Sequence, residues 1–68
     1  MTVLEKELIE RLHAGENFYN IVDHTDRYDE VDYDYDHENL HYFGDDLFGD
    51  TFVVIAGEKF FIGSGKIN

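Results

Sequence analysis

The stretch that decides the fold is Asp29-Glu30-Val31-Asp32-Tyr33-Asp34-Tyr35-Asp36-His37-Glu38, in which acidic residues alternate with aromatic or apolar ones. Alternate side chains of a β-strand share one face and lie roughly 6.6 Å apart, so the pattern predicts a strand over about residues 28–37. Because like charges at this spacing repel one another, a row of carboxylates lowers stability, and we interpret it as a binding surface. The predicted row consists of Glu30, Asp32, Asp34, Asp36 and Glu38, with Val31, Tyr33, Tyr35 and His37 on the opposite face.

The flanking segments predict a helix before this strand and a hairpin after it. Thr2 and Glu5 have the spacing of a capping box, and Leu4, Leu8 and Leu12 recur on one face, which predicts an amphipathic helix over about 3–14. The hairpin is predicted over about 51–62, with Gly57 as the first central residue of its turn. Residues 18–22 fit either a strand or a helical turn. Residues 38–39 suit a turn with a short strand after it, and the glycine-containing residues 63–68 read as a flexible tail.

These elements predict one α+β domain over residues 1–68, with the helix packed on a three- to four-stranded antiparallel sheet. A chain of 68 residues has a small core and a narrow stability margin. It has no cysteine, which excludes disulfides, thiolate metal sites and a cysteine nucleophile. The lack of cysteine suits a reducing, cytoplasmic setting, and no apolar stretch approaches the roughly 20 residues of a membrane span.

The net charge of −11 is concentrated in the middle of the chain. Residues 23–50 carry eleven acidic residues against Arg27 alone, together with a density of aromatic residues that is atypical of disordered acidic tails. Nucleic acids and anionic lipids both require a basic surface, so this segment excludes direct binding to either of them. The expected partner is a basic protein.

Three chemical alternatives are weaker. Asp32, Asp34 and Asp36 match the start of an EF-hand loop, but its glycine and its final glutamate are replaced by His37 and Phe43. A calcium-binding protein therefore stays an alternative without assigned ligands. A zinc site at His37 and His41 would need a helix where the pattern predicts a strand. No catalytic motif is present, so we expect neither an enzyme nor a cofactor.

In size, charge and its acidic-aromatic middle segment, residues 29–50, the chain resembles the small phage-encoded inhibitors that imitate DNA. These include anti-CRISPR proteins, anti-restriction proteins and inhibitors of uracil-DNA glycosylase. The resemblance implies a non-enzymatic inhibitor, made in a bacterial host, that occupies the nucleic-acid cleft of a Cas effector, a restriction enzyme or a repair enzyme. The expected contact residues are Asp29, Glu30, Asp32, Tyr33, Asp34, Tyr35, Asp36, Glu38, Tyr42, Asp45, Asp46 and Asp50.

A homodimeric module is the remaining alternative. The run from Phe52 to Ile55 is apolar at consecutive positions, so both faces of that strand need cover. The helix is expected to cover one face, and either the Tyr33/Tyr35 face or a second copy of the chain the other. In the second case the acidic residues would only keep the assembly soluble.

Overall fold

The computed structural model describes the whole chain, residues 1–68, as two helices followed by three strands. The strands form an antiparallel sheet in chain order, β1-β2-β3. The predicted α+β fold, with an N-terminal helix and a small antiparallel sheet, is confirmed. The elements are α1 (Val3–His13), α2 (Phe18–Val22), β1 (Tyr33–Phe43), β2 (Asp46–Ile55) and β3 (Glu58–Lys66).

Helix α1 begins with the predicted capping box. The Thr2 hydroxyl accepts a hydrogen bond from the backbone N–H of Glu5 at 3.1 Å, and the Glu5 carboxylate accepts one from the backbone N–H of Thr2 at 2.7 Å. The hydrogen bond from Thr2 lowers the pKa of Glu5. Residues 18–22, for which the sequence allowed either a strand or a helical turn, form the helical turn, with Asn17 as its N-cap.

The core is small and lies between the helices and one face of the sheet. The apolar side of α1 supplies two buried residues, and two more side chains, Leu4 and Leu12, pack against them. The segment between α2 and β1 also contributes side chains, so it is tied to the fold. The buried hydrophobic residues are Leu8, Ile9, Phe18, Ile21, Tyr28, Val31, Val53 and Ile55.

A hydrogen-bonded network fixes the segment before β1 against α1. The Glu7 carboxylate accepts hydrogen bonds from Arg27 Nε at 2.6 Å and from the buried Tyr28 hydroxyl at 2.5 Å. The same hydroxyl accepts a hydrogen bond from Arg11, whose guanidinium also pairs with Glu16. The hydrogen bonds from Arg27 and Tyr28 lower the pKa of Glu7 to about 2.

The strand predicted over 28–37 begins later, at Tyr33. Tyr28 and Val31 are buried in the core, and turn hydrogen bonds join Val31 N to Tyr28 O at 3.0 Å and Asp29 N to Asp26 O at 3.2 Å. The prediction was wrong over these first residues because alternation alone does not distinguish a strand from turns that place two apolar side chains in a core.

The predicted turn at residues 38–39 is also wrong, because β1 continues through it as a β-bulge. Glu38 pairs with Asp50 and His41 with Phe48, so Asn39 and Leu40 lie opposite the single residue Gly49. Asn39 has φ 54°, a conformation that asparagine tolerates better than most residues. The turn to β2 instead comes at residues 44–45.

The C-terminal hairpin forms as predicted, but its turn and its end differ. The two central turn residues are Ala56 and Gly57, with φ 50° and 83°, as in a type I′ turn. The predicted flexible tail, residues 63–68, was wrong: β3 runs to Lys66, with Gly65 paired to Gly49. Neither helix is long and apolar enough to cross a membrane.

Candidate acidic and aromatic binding face

Strand β1 separates its acidic and aromatic side chains as the alternation predicts. Asp34, Asp36 and Glu38 pair with Val54, Phe52 and Asp50 of β2, so all six share the face that carries no helix. We call this helix-free side of the sheet the open face. Its side chains are Asp34, Asp36, Glu38, His41 and Phe43 of β1, Asp46, Phe48, Asp50, Phe52 and Val54 of β2, and Lys59, Phe61, Ser64 and Lys66 of β3.

The carboxylate row is shorter than predicted. Asp29 and Glu30 lie in the turns before the strand, and Asp32 lies in the connection to it. All three are exposed, but none belongs to the regular strand. Only Asp34, Asp36 and Glu38 hold the regular spacing of a strand, and they extend over roughly 13 Å.

A lysine from the far strand occupies the centre of this row. Lys59 of β3 extends across β2, and its ammonium lies 3.5 Å from the Asp36 carboxylate and in direct contact with that of Glu38. The hydrogen bond to Glu38 raises the pKa of Lys59. The ammonium also lies 5.0 Å from the centroid of the Phe52 ring. Two of the three row carboxylates therefore have an intramolecular cation, and Asp34 has none.

Aromatic side chains form the middle of the open face. Phe52 and Phe61 meet edge to face with centroids 5.6 Å apart, and His41 stacks on Phe48 at 5.8 Å. Phe61 is 60% exposed and Phe43 is 81% exposed. None of these residues is among the predicted contact residues. Phe52 lies beside the row through the register of β1 with β2, and Lys59 reaches it through the register of β2 with β3.

The predicted contact tyrosines do not lie beside the acidic residues. Tyr33 and Tyr35 pair with Ile55 and Val53, so they face the helices, and the Tyr33 ring meets Phe18 edge to face at 5.4 Å. Tyr35 is half exposed, and partial burial raises its pKa. These tyrosines share a face with the core strand residues and therefore cannot cover Phe52, as one sequence hypothesis required.

The remaining predicted residues lie at the far end of the first hairpin. Asp45 is in its turn, Asp46 pairs with Lys66 at 3.3 Å, and Asp50 accepts a hydrogen bond from the Asn39 amide at 2.8 Å. Asp46 and Asp50 extend the open face, which then carries five carboxylates and two ammonium groups. Tyr42 is 71% exposed, but it lies opposite Leu47 on the other side of the hairpin.

The carboxylates and imidazoles of this region are spread apart. No three histidine, aspartate or glutamate side chains lie close enough together to hold an ion. Asp34 and Asp36 lie along strand β1 with Asp32 just before it, whereas a calcium loop would wrap such residues around one point. His37 faces the helix side, where it contacts the Thr51 hydroxyl at 3.1 Å, whereas His41 lies on the open face.

The largest groove of the molecule does not belong to the carboxylate row. It has a volume of 320 Å³ and lies between the loop after α1 and strand β3. Its lining is mainly apolar, and its one carboxylate, Glu16, is paired with Arg11. What the open face offers chemically is a rigid surface of carboxylates and aromatic rings.

Comparisons with known proteins give no family to this chain. No protein-family model matches it, no curated protein is significantly similar in sequence, and no solved structure matches its fold.

Proposed function

We propose that this chain is a non-enzymatic inhibitor that binds the basic nucleic-acid cleft of another protein in place of nucleic acid. The observation that carries the proposal is the row Asp34, Asp36 and Glu38, held on one face of a paired strand in a chain of net charge −11. The resemblance to phage-encoded DNA mimics favours a target among bacterial defence and repair enzymes, in the cytoplasm of the host cell.

The spacing of the row supports this proposal. Carboxylates on one strand face repeat every ~6.6 Å. Phosphates of a nucleic-acid strand follow one another every ~3.4 Å of axial rise, but the direct distance between neighbouring phosphates along the helical path is longer than this rise. It is this direct distance that the carboxylate spacing imitates. Because β1 is hydrogen-bonded to β2 along its length, the carboxylates are positioned before binding, and little ordering cost remains. A cleft built for phosphates would attract such a surface over long range.

The second strand widens the charged surface. Asp46 and Asp50 lie on the same face as the row, one strand further into the sheet. Among the open-face carboxylates, Asp34 has no ion pair or hydrogen bond, and Asp50 has only the neutral amide of Asn39. These two are available to arginine or lysine side chains of a target without breaking an internal ion pair.

The test is competition with DNA. The native protein is immobilised and exposed to nuclease-treated bacterial lysate, and captured proteins are eluted with a duplex oligonucleotide and quantified by mass spectrometry. We expect nucleic-acid-binding proteins to be captured and released by the DNA. The variant Asp34→Asn/Asp36→Asn/Glu38→Gln should lose them.

A matched variant controls for net charge. Glu10→Gln/Asp23→Asn/Asp26→Asn removes the same three charges from exposed positions outside the open face. It should capture the same proteins as the native chain. Equal losses from both triple variants, or capture that DNA does not reverse, would contradict the proposal.

A further inference from the structure

We propose that the open face is a docking surface for an arginine-containing basic segment, whose guanidinium takes the place that the Lys59 ammonium fills in the free protein. The inference rests on the proposed function, since it concerns the same face. It goes further in two respects: the face prefers arginine to lysine, and the contact between Lys59 and the row carboxylates must open on binding.

The place filled by Lys59 of β3 is built from the two other strands. Phe52 of β2 provides an aromatic floor 5.0 Å from the ammonium, and Asp36 and Glu38 of β1 provide two carboxylates beside it. A cation over an aromatic face with carboxylates beside it is favoured both by the ring quadrupole and by charge. The structure thus contains an occupied cation site, whose occupant comes from the chain itself.

The occupant is held loosely enough to be displaced. The side chains of Lys59, Asp36 and Glu38 are 43%, 48% and 40% exposed, and ion pairs with this exposure contribute little to stability. The lysine stem is flexible, so its ammonium can move into solvent without rearrangement of β3. An incoming cation therefore meets a small penalty at the centre of the row.

Arginine fits this site better than lysine does. Its planar guanidinium donates paired hydrogen bonds to carboxylates and stacks on aromatic rings, whereas an ammonium acts as a point charge. Phe61 lies edge to face against Phe52 and is 60% exposed, so its ring is open to stacking from above. Asp34 and Asp50, which have no internal cation, are then available to further basic residues of the segment.

The occupant is a basic polypeptide because the face excludes the other candidates. Five carboxylates against two ammonium groups repel phosphates, so neither nucleic acid nor an anionic membrane matches it. A second copy of the chain would bring another −11 charge to the same surface. Charge complementarity and exposed aromatic rings together favour an arginine-bearing partner.

The experiment uses fluorescein-labelled nona-arginine and nona-lysine peptides as probes, with Kd measured by fluorescence anisotropy at fixed ionic strength. We expect nona-arginine to bind the native protein at least fivefold more tightly than nona-lysine. Phe61→Ser should reduce this ratio to below twofold, whereas Phe61→Tyr, which keeps the ring, should retain it. Tyr42→Ser, which removes an exposed ring from the other side of the first hairpin, should also retain it.

Displacement of Lys59 is tested separately. Lys59→Met keeps an aliphatic cover on Phe52 and should tighten nona-arginine binding about three- to tenfold. Lys6→Met makes the same change in net charge at an exposed residue without an ion pair, and it should tighten binding by less than twofold. Equal effects of the two lysine variants, or an unchanged peptide ratio in Phe61→Ser, would overturn the inference.

The two proposals fail in different ways. If Asp34→Asn/Asp36→Asn/Glu38→Gln weakens peptide binding while the Lys59 and Phe61 variants behave like their controls, the acidic face stands and the arginine site is wrong. If the acidic variant binds both peptides no more weakly than Glu10→Gln/Asp23→Asn/Asp26→Asn, then the open face is not the docking surface and both proposals are wrong.

Discussion

Glu7 connects the first helix to the segment that leads into the acidic strand. Its carboxylate accepts hydrogen bonds from Arg27 and Tyr28, and these lower its pKa to about 2 from the ordinary 4.5. A carboxyl group whose pKa is lower in the folded state stabilises the protein fully above its unfolded pKa. That contribution disappears as the pH falls from about 4.5 through about 2.

Glu7→Gln should therefore lower the urea midpoint at pH 6, with a difference from the native protein that shrinks on acidification and vanishes near pH 2. Urea titrations at pH 6, 4 and 2 measure this convergence. Glu10→Gln, on the exposed side of the same helix, should follow the native protein at every pH. If Glu7→Gln lowers the urea midpoint by the same amount at all three pH values, the variant has lost packing only.

Gly49 is required where β1 bulges. A Cβ built on this residue would lie 2.7 Å from Leu40 Cδ2 and 3.0 Å from the backbone oxygen of Glu38. The leucine side chain can move, but the backbone oxygen cannot move without disturbing the strand pair. We expect Gly49→Ala to destabilise the protein by about 1–3 kcal/mol in urea denaturation, as is typical of overpacked sites.

The double variant Leu40→Ala/Gly49→Ala separates these two contacts. Removing the Leu40 methyl groups relieves the side-chain clash, so the double variant should lose less stability than the sum of the two single variants. If the stability losses of the two single variants add up to that of the double variant, the strain comes from the contact with the backbone oxygen of Glu38 alone. If Gly49→Ala lies within 0.5 kcal/mol of the native protein, the close approach at the bulge is not a constraint.

At the scale of elements, the β2–β3 hairpin has a turn that is not optimal. Ala56 adopts φ 50° in the first central position, where asparagine and glycine are preferred because the left-handed region is strained for alanine. Ala56→Asn should stabilise the protein by about 0.5–1 kcal/mol in urea denaturation. Ala14→Asn, at an exposed residue with φ −75°, should bring no gain. A gain from both variants, or from neither, would contradict this explanation.

The first helix and the hairpin could be predicted from sequence because their signals are local. Thr2 and Glu5 form the capping box three residues apart in the chain, and Gly57 lies in the turn that it predicts, one position later than expected. The start of β1 could not be predicted, since residues 29–32 continue the alternation although Val31 is pulled into the core. Burial there depends on α1 and β2, which are distant in sequence.

The candidate site was predicted in part for the same reason. Asp34, Asp36 and Glu38 share a face because of alternation within one strand, which a sequence displays directly. Lys59 and Phe61 reach that face only through the register of three strands, which the turn at residues 56–57 and the bulges set together. Side chains that meet across strands therefore escaped a prediction made from single-strand patterns.

For the whole molecule, charge repulsion exceeds internal pairing. Five of the sixteen carboxylates pair with a lysine or an arginine, and Glu58 contacts the His13 ring, which leaves ten without a basic partner. Four of those ten lie close together in the turns and the connection before β1. The four are Asp26, Asp29, Glu30 and Asp32. Because they repel one another and the row on β1, the folded state is under electrostatic strain that counterions can relieve.

The melting temperature should therefore rise as sodium chloride increases from 0.01 to 0.15 M, the range over which the screening length falls from ~30 to ~8 Å. If screening relieves about 1 kcal/mol, the rise is about 4–8 °C for a domain of this size, as measured by differential scanning calorimetry.

Calcium chloride at matched ionic strength should give the same rise, since no group of side chains is arranged to hold the ion. Asp23→Asn/Asp26→Asn/Asp29→Asn should melt higher at low salt and respond less to added salt, because it removes three unpaired charges at exposed positions. A melting temperature that is flat or falls over this range would mean that the internal ion pairs outweigh the repulsion. A rise specific to calcium would reveal a metal site formed on binding.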